Sequence, residues 1–139
     1  MLNLETLSVD QYSFIANAFS FGLAVMASTT LFLWLMRSSV APAYQMAVTI
    51  TGLVTAIAAY HYLQIMLSWE KAVDITSGQV VGTGEPFNQA YRYVDWLLTV
   101  PLLLVELILV MKLSQQETMS KSLKLGGAAA LMIILGYPG

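Results

Sequence analysis

Between Asp10 and Arg37 the chain reads QYSFIANAFSFGLAVMASTTLFLWLM (residues 11–36), a run without one ionised side chain. A bilayer core of roughly 30 Å is crossed by about 20 helical residues, so this run is long enough for one span. The next stretch, from Arg37 to Glu70, is broken only by His61. The charge gaps predict helix A over about Gln11–Met36 and helix B over about Tyr44–Ser68, joined by a link in which Ser38, Ser39 and Pro42 are turn residues. Helix C is expected over about Phe87–Met111, opened by Gly84–Glu85–Pro86, and helix D over about Lys121–Tyr137, stopped by Pro138–Gly139. Apolar blocks such as Leu102–Leu103–Leu104–Val105 do not alternate with polar residues, which argues against a membrane β-barrel. The acidic Glu5 and Asp10, ahead of an apolar run too long for a signal peptide, argue against that reading of the N-terminus.

Composition points the same way. Of 139 residues, 58% are hydrophobic and only 10% charged, with mean hydropathy +0.70 and no cysteine. A soluble domain carries about 25% charged residues, so this chain cannot coat a water-facing surface. Disorder, a disulfide scaffold and a cysteine metal site are excluded as well. The net charge of −2 leaves no basic surface for nucleic acid. The expected fold class is an all-α membrane protein with four transmembrane helices.

The B–C connection, about Trp69 to Pro86, holds two β-prone stretches around Ser77–Gly78, which predict a small hairpin on the membrane surface. Arg37, Lys112, Lys121 and Lys124 gather on the side of the A–B and C–D links, whereas the other side has only Lys71. The excess of Lys and Arg marks the first side as cytoplasmic, so the N-terminus is expected outside. Trp34, Trp69, Tyr12, Tyr44 and Tyr62, near span ends, read as interfacial anchors.

Helix C differs from the others in carrying Arg92, Asp95 and Glu106 within its span. Ionisable groups at mid-membrane cost at least about 2.5–3.5 kcal/mol and are functional by default. Asp95 and Glu106 are separated by close to three helical turns, so they share a face, about 16 Å apart along the axis. Arg92 lies one turn outward of Asp95 and Thr99 one turn inward, on the same stripe. One carboxyl toward each side of the membrane is what a proton relay needs, the first poised to accept a proton and the second to release one. The competing reading is a structural Arg92–Asp95 ion pair with Glu106 snorkelling to the interface. Pro101 between the carboxyls removes a backbone bond to Leu97 and predicts a kink. His61 on helix B falls near the depth of Asp95, where contact would stabilise the carboxylate. Trp96, beside Asp95, reads by default as core packing.

The helix C motif, Tyr91–Arg92–Tyr93–Val94–Asp95–Trp96–Leu97–Leu98–Thr99–Val100–Pro101 through Glu106, resembles the microbial rhodopsins. It is most similar to bacterial proton pumps of the proteorhodopsin and xanthorhodopsin type. Asn17–Ala18–Phe19–Ser20–Phe21, Tyr60–His61–Tyr62 and the stretch from Met132 to Gly139 extend the likeness over the whole chain. The resemblance implies a light-driven outward proton pump that uses all-trans retinal. Asp95 then matches the Schiff-base counterion and proton acceptor, Thr99 its hydroxyl partner, and Glu106 the cytoplasmic donor. His61 matches the histidine paired with the acceptor, and Arg92 the arginine on the exit side. Trp96, Val100, Leu103, Met132 and Gly136 fall at retinal-contacting positions, and leucine at Leu103 implies green absorption.

The family has seven helices and binds retinal through a lysine of the seventh. The lysines here, Lys71, Lys112, Lys121 and Lys124, lie at loops or helix ends. The resemblance therefore implies a lysine absent from this chain, borne by missing helices E to G of the same protein. Further implied partners are the lipid bilayer of the bacterial inner membrane and, in a pentameric or hexameric homo-oligomer, further copies of the protein. A carotenoid antenna is compatible with the xanthorhodopsin type, its site depending on helix E. The alternatives are a sensory photoreceptor, which a carboxylate at Glu106 argues against, and a non-photoactive four-helix membrane subunit. No nucleophile–base pair, metal cluster or phosphate loop points to an enzyme.

Overall fold

Ser8 accepts a hydrogen bond from the Gln11 amide, and the Gln11 side chain accepts one from Ser8 N–H; this capping box opens α1 (Val9–Met36). The computed structural model describes residues 7–137. Two short 3-10 turns, Arg37–Ser39 and Pro42–Tyr44, lead into α2 (Gln45–Ala72), which passes directly into β1 (Val73–Thr76) and β2 (Gln79–Gly82). Then come α3 (Ala90–Val110) and α4 (Gln115–Gly136). All four helices are long and apolar enough to cross a membrane.

The elements are those expected, with shifted ends. Helix D starts at Gln115 rather than near Lys121, because Ser114 and Glu117 form a second capping box. Its S-x-x-E signal was present in the sequence. Helix B continues past Ser68 to Ala72; its 28 residues rise about 42 Å, more than the bilayer core requires. Helix C begins at Ala90 rather than Phe87, where the Asn88 side chain accepts from the Ala90 amide. It runs unbroken through Pro101.

The helices pack in chain order, α1 on α2, α2 on α3 and α3 on α4, so the four make an open arc. Small residues bring α2 close to its neighbours: Ala47, Gly52, Ala58 and Ala59 are buried on it. Without a hydrophobic driving force in lipid, such close approach and interhelical hydrogen bonds hold helices together. Thr30 and Thr55 supply one such bond between α1 and α2, at 2.8 Å. A methyl at Gly22 would overlap the Tyr62 ring, whereas one at Gly127 meets open space. Gly→Ala in a helix gains up to about 1 kcal/mol on propensity, but overpacking costs about 1–3. Gly22→Ala should therefore lower the thermal unfolding midpoint in detergent, while Gly127→Ala should leave it equal or higher.

The hairpin pairs Val73 with Gly82 and Thr76 with Gln79. Its turn residues Ser77 (φ 54°) and Gly78 (φ 76°) take the left-handed conformation of a tight hairpin turn. Val73 and Val80 face inward onto Trp69 and Ala72. Trp69 is only 1% exposed, stacked on Tyr12 and edge-on to Phe87, each at 5.8 Å. It is thus a buried plug rather than an interfacial anchor, because the extra turn of α2 carries it beneath the hairpin. At the opposite end the Lys112 ammonium sits 4.2 Å from the Tyr44 ring centre, joining the α3–α4 link to the start of α2.

Candidate functional site

The side chains of His61 on α2 and Asp95 on α3 meet within the arc, 6% and 14% exposed. His61 Nδ1 lies 2.9 Å from the Ile57 carbonyl oxygen and 3.4 Å from Asp95 Oδ1. A carbonyl only accepts, so Nδ1 carries the proton and donates it to Ile57. Asp95 Oδ1 is consequently buried with no hydrogen-bond donor, although the imidazole is beside it. A buried carboxylate oxygen left in this state is costly, and a cationic N–H is the partner that would satisfy it best.

The Arg92–Asp95 ion pair of the competing reading is not formed: among the described residues the ion-pair contact at Asp95 is with His61. Arg92 is exposed, and it shares with His61, Asp95 and Trp96 a cavity of about 210 Å³ between α1, α2 and α3. Phe19, Tyr62 and Ile65 complete its lining. Phe19 and Ile65 are apolar residues within apolar runs and Tyr62 reads as an interfacial anchor, so only packing identifies these three as part of the cavity. The hydroxyl of Thr99, a buried residue, does not reach the carboxylate; it donates to the main-chain carbonyl of Asp95 at 2.8 Å. A threonine one turn along a helix has that carbonyl in reach, which satisfies its hydroxyl locally. Glu106 is half-buried three turns further along α3, away from the cavity.

Trp96 is not core. It is 46% exposed, with Tyr93 edge-on at 5.4 Å. Trp96, Val100 and Leu103 follow one another at helical spacing on α3, and Met132 and Gly136 do so on α4. Leu103 and Met132 are likewise exposed, and no atom lies within 4 Å of where a Gly136 side chain would begin. Of these residues, Trp96 also lines the cavity of Asp95, while Leu103 and Met132 stand uncovered further along α3 and on α4. An apolar group with a cationic N–H at one end would suit that oxygen and these exposed apolar side chains.

The family model described as bacteriorhodopsin-like protein matches residues 13–139. Among curated proteins, the chain is 32% identical to the green-light absorbing proteorhodopsin of Gamma-proteobacterium EBAC31A08, over 84% of this chain and 42% of the relative. It is equally similar, at 32%, to the blue-light absorbing proteorhodopsin of Gamma-proteobacterium Hot 75m4. Among solved structures it resembles xanthorhodopsin, described as a light-driven ion pump with dual chromophore, with TM-score 0.91 and 52% identity over 95% of this chain and 53% of that one. It also resembles thermophilic rhodopsin, with TM-score 0.90 and 48% identity over 94% and 52% of the two chains. The chain thus spans about half the length of the proteins it matches.

Proposed function

The chain belongs to the bacteriorhodopsin-like protein family, and from that premise we propose that it carries the proton-relay half of a light-driven outward proton pump. The observation that carries this reading is the donor-less Asp95 Oδ1, buried beside His61 in a cavity that the exposed Trp96 also lines. The chemistry retinal supplies when bound is light absorption coupled to a change in proton affinity near Asp95, the lysine that holds it lying outside these four helices.

Asp95 takes up the proton at Oδ1. His61 stands 3.4 Å from the carboxylate with its Nδ1 proton donated to the Ile57 carbonyl, and packs the acceptor in place. Arg92 lines the same cavity, one turn toward the outside, and offers a positive charge that favours release in that direction. Thr99 acts on the Asp95 main chain rather than on the carboxylate. Glu106 restores the proton from the other side, across an apolar stretch that blocks direct return. Two carboxyls with different surroundings, at two depths, give the transfer its direction.

The orientation follows from charge. Tyr44 and Lys112 touch, so the two basic links share one end of the arc, and that end faces the cytoplasm with the N-terminus outside. Trp96, Val100, Leu103, Met132 and Gly136 hold the chromophore, with Leu103 favouring green absorption. A pentameric or hexameric assembly, and a carotenoid antenna, remain part of this proposal as extensions of the family resemblance.

Illumination of cells that make the retinal-loaded protein should acidify the medium, and a protonophore should abolish the signal. A coloured protein that leaves the medium unchanged under light rejects pumping.

A further inference from the structure

The cavity that holds Asp95 is lined by Phe19 on α1, Tyr62 and Ile65 on α2, and Arg92 on α3. One to two turns nearer the hairpin, the chain at all three walls converges on one side chain. Ile65 is followed after one helical turn by Trp69, Phe19 is preceded by Tyr12, Ile15 and Ala16, and Arg92 is preceded by Phe87. Tyr12 and Phe87 stack against the Trp69 ring, and Ile15 and Ala16 pack on the same cluster. Phe19 belongs both to the cavity lining and to this cluster, so the two are contiguous.

The hairpin fastens this cluster from above. Val73 and Val80 lie on Trp69, and Trp69, Ala72 and Val73 are at most 1% exposed within these four helices alone. The return strand to α3 is tied to the end of α2 by three hydrogen bonds. Thr83 N–H donates to the Ala72 carbonyl at 3.1 Å, the Thr83 hydroxyl donates to the Lys71 carbonyl, and Asn88 N–H donates to the Ser68 hydroxyl at 2.9 Å. Trp69 Nε1 is buried and has no acceptor among the described residues. A buried N–H without a partner is costly, so the indole is held there by its volume and not by a hydrogen bond.

We propose that Trp69 under its hairpin is the outer seal of the proton path, limiting how fast protons pass between the Asp95 cavity and the water at the hairpin end. The proposal rests on the reading of Asp95 as the proton acceptor, and adds the residue that controls its access. Trp69 does not touch Asp95, so it is a positioning residue that acts through the barrier it builds. The titratable groups that face Asp95 in the cavity are His61 and Tyr62 from α2 and Arg92 from α3, while α1 contributes only Phe19. A change at Trp69 leaves all of these in place. It should therefore alter the rate at which Asp95 exchanges its proton with the hairpin side, and leave its titration midpoint unchanged. Local opening of a packed layer becomes more populated as its buried contacts are removed, which gives the direction of the effect.

The test is a pH jump in the dark on the full-length, retinal-loaded protein in vesicles with the hairpin side outward. Stopped-flow absorbance follows the colour change as Asp95 gains or loses its proton. Trp69→Val should speed the response to an outer jump about tenfold or more, with the parent midpoint. A jump applied from inside the vesicles should give the parent rate in the same variant. Trp69→Phe, which keeps a ring in the cluster, should respond at close to the parent rate. An outer response at the parent rate in Trp69→Val, or equal acceleration from both sides, overturns the seal. Asp95→Asn should show no such colour change; if it does, the acceptor reading fails, and the seal with it. Should Trp69→Val fail to fold, Phe87→Val opens the same cluster from the segment before α3 and decides by the same criteria.

Discussion

Asp95→Asn should abolish light-driven acidification of the medium while leaving a coloured, folded protein. Asparagine keeps the size of the side chain and can still pack beside His61, so the cavity it shares with Arg92 is preserved. What it loses is the negative charge and the ability to take up a proton. Removing a positioned acid or base typically costs about 10²–10⁴-fold, and among the described residues no other carboxylate lines this cavity to replace Asp95. Initial rates of pH change in illuminated cells, normalised to the amount of pigment, provide the measurement. Transport at more than a tenth of the parent rate would remove Asp95 from its role. Asp95→Glu, which keeps the acid but lengthens the arm, should retain part of the transport, separating loss of charge from loss of fit.

Glu106→Gln should have a different signature: the first proton transfer proceeds, but recovery of the resting state slows by about 10²-fold or more. Glu106 lies about 16 Å from Asp95 along α3, too far to affect the acceptor by contact. Without it the returning proton must come from bulk water through an apolar stretch. The recovery rate should then follow the proton concentration of the medium, whereas the parent should be nearly insensitive to pH over the same range. Flash photolysis across several pH values distinguishes the two. Recovery with parent-like speed and pH dependence in Glu106→Gln would show that another group returns the proton. A permeant weak acid should partly restore the rate in the variant, because it delivers protons to the same place by diffusion.

Much of the architecture is legible in the order of residues because a bilayer imposes a coarse rule. Charges are expelled from about 20-residue stretches, and every backbone group in them must be paired within a helix. The hairpin was legible for a local reason, since Ser77 and Gly78 form a tight turn between β-prone stretches. Helix ends were harder to place, because they depend on single caps such as Ser114 with Glu117 and on the Asn88 side chain. Within the site, helical spacing placed Asp95, Thr99 and Glu106 on one stripe, which requires only a 3.6-residue period. It could not say which atoms touch. Thr99 had a closer acceptor in its own helix, and Arg92 turned out to line a cavity with Asp95 rather than pair with it. Trp69 and Trp96 exchanged their expected environments, the first buried under the hairpin and the second open on the arc.

The sequence by itself determined four membrane spans, the location of the basic residues at one set of links, and a single helix bearing the charges that matter. These follow from hydration and helical periodicity, both of which are local along the chain. Only the tertiary structure decided that His61 lies beside Asp95, that its proton goes to Ile57, and that one carboxylate oxygen is left without a donor. It alone revealed the cavity that Arg92 and Trp96 share with His61 and Asp95. Such facts depend on how far one helix is rotated and shifted against the next, and that is set by small residues such as Gly22 and Gly52 meeting the Tyr62 and Trp34 rings. Those contacts join residues distant in the chain, so no window of sequence contains them.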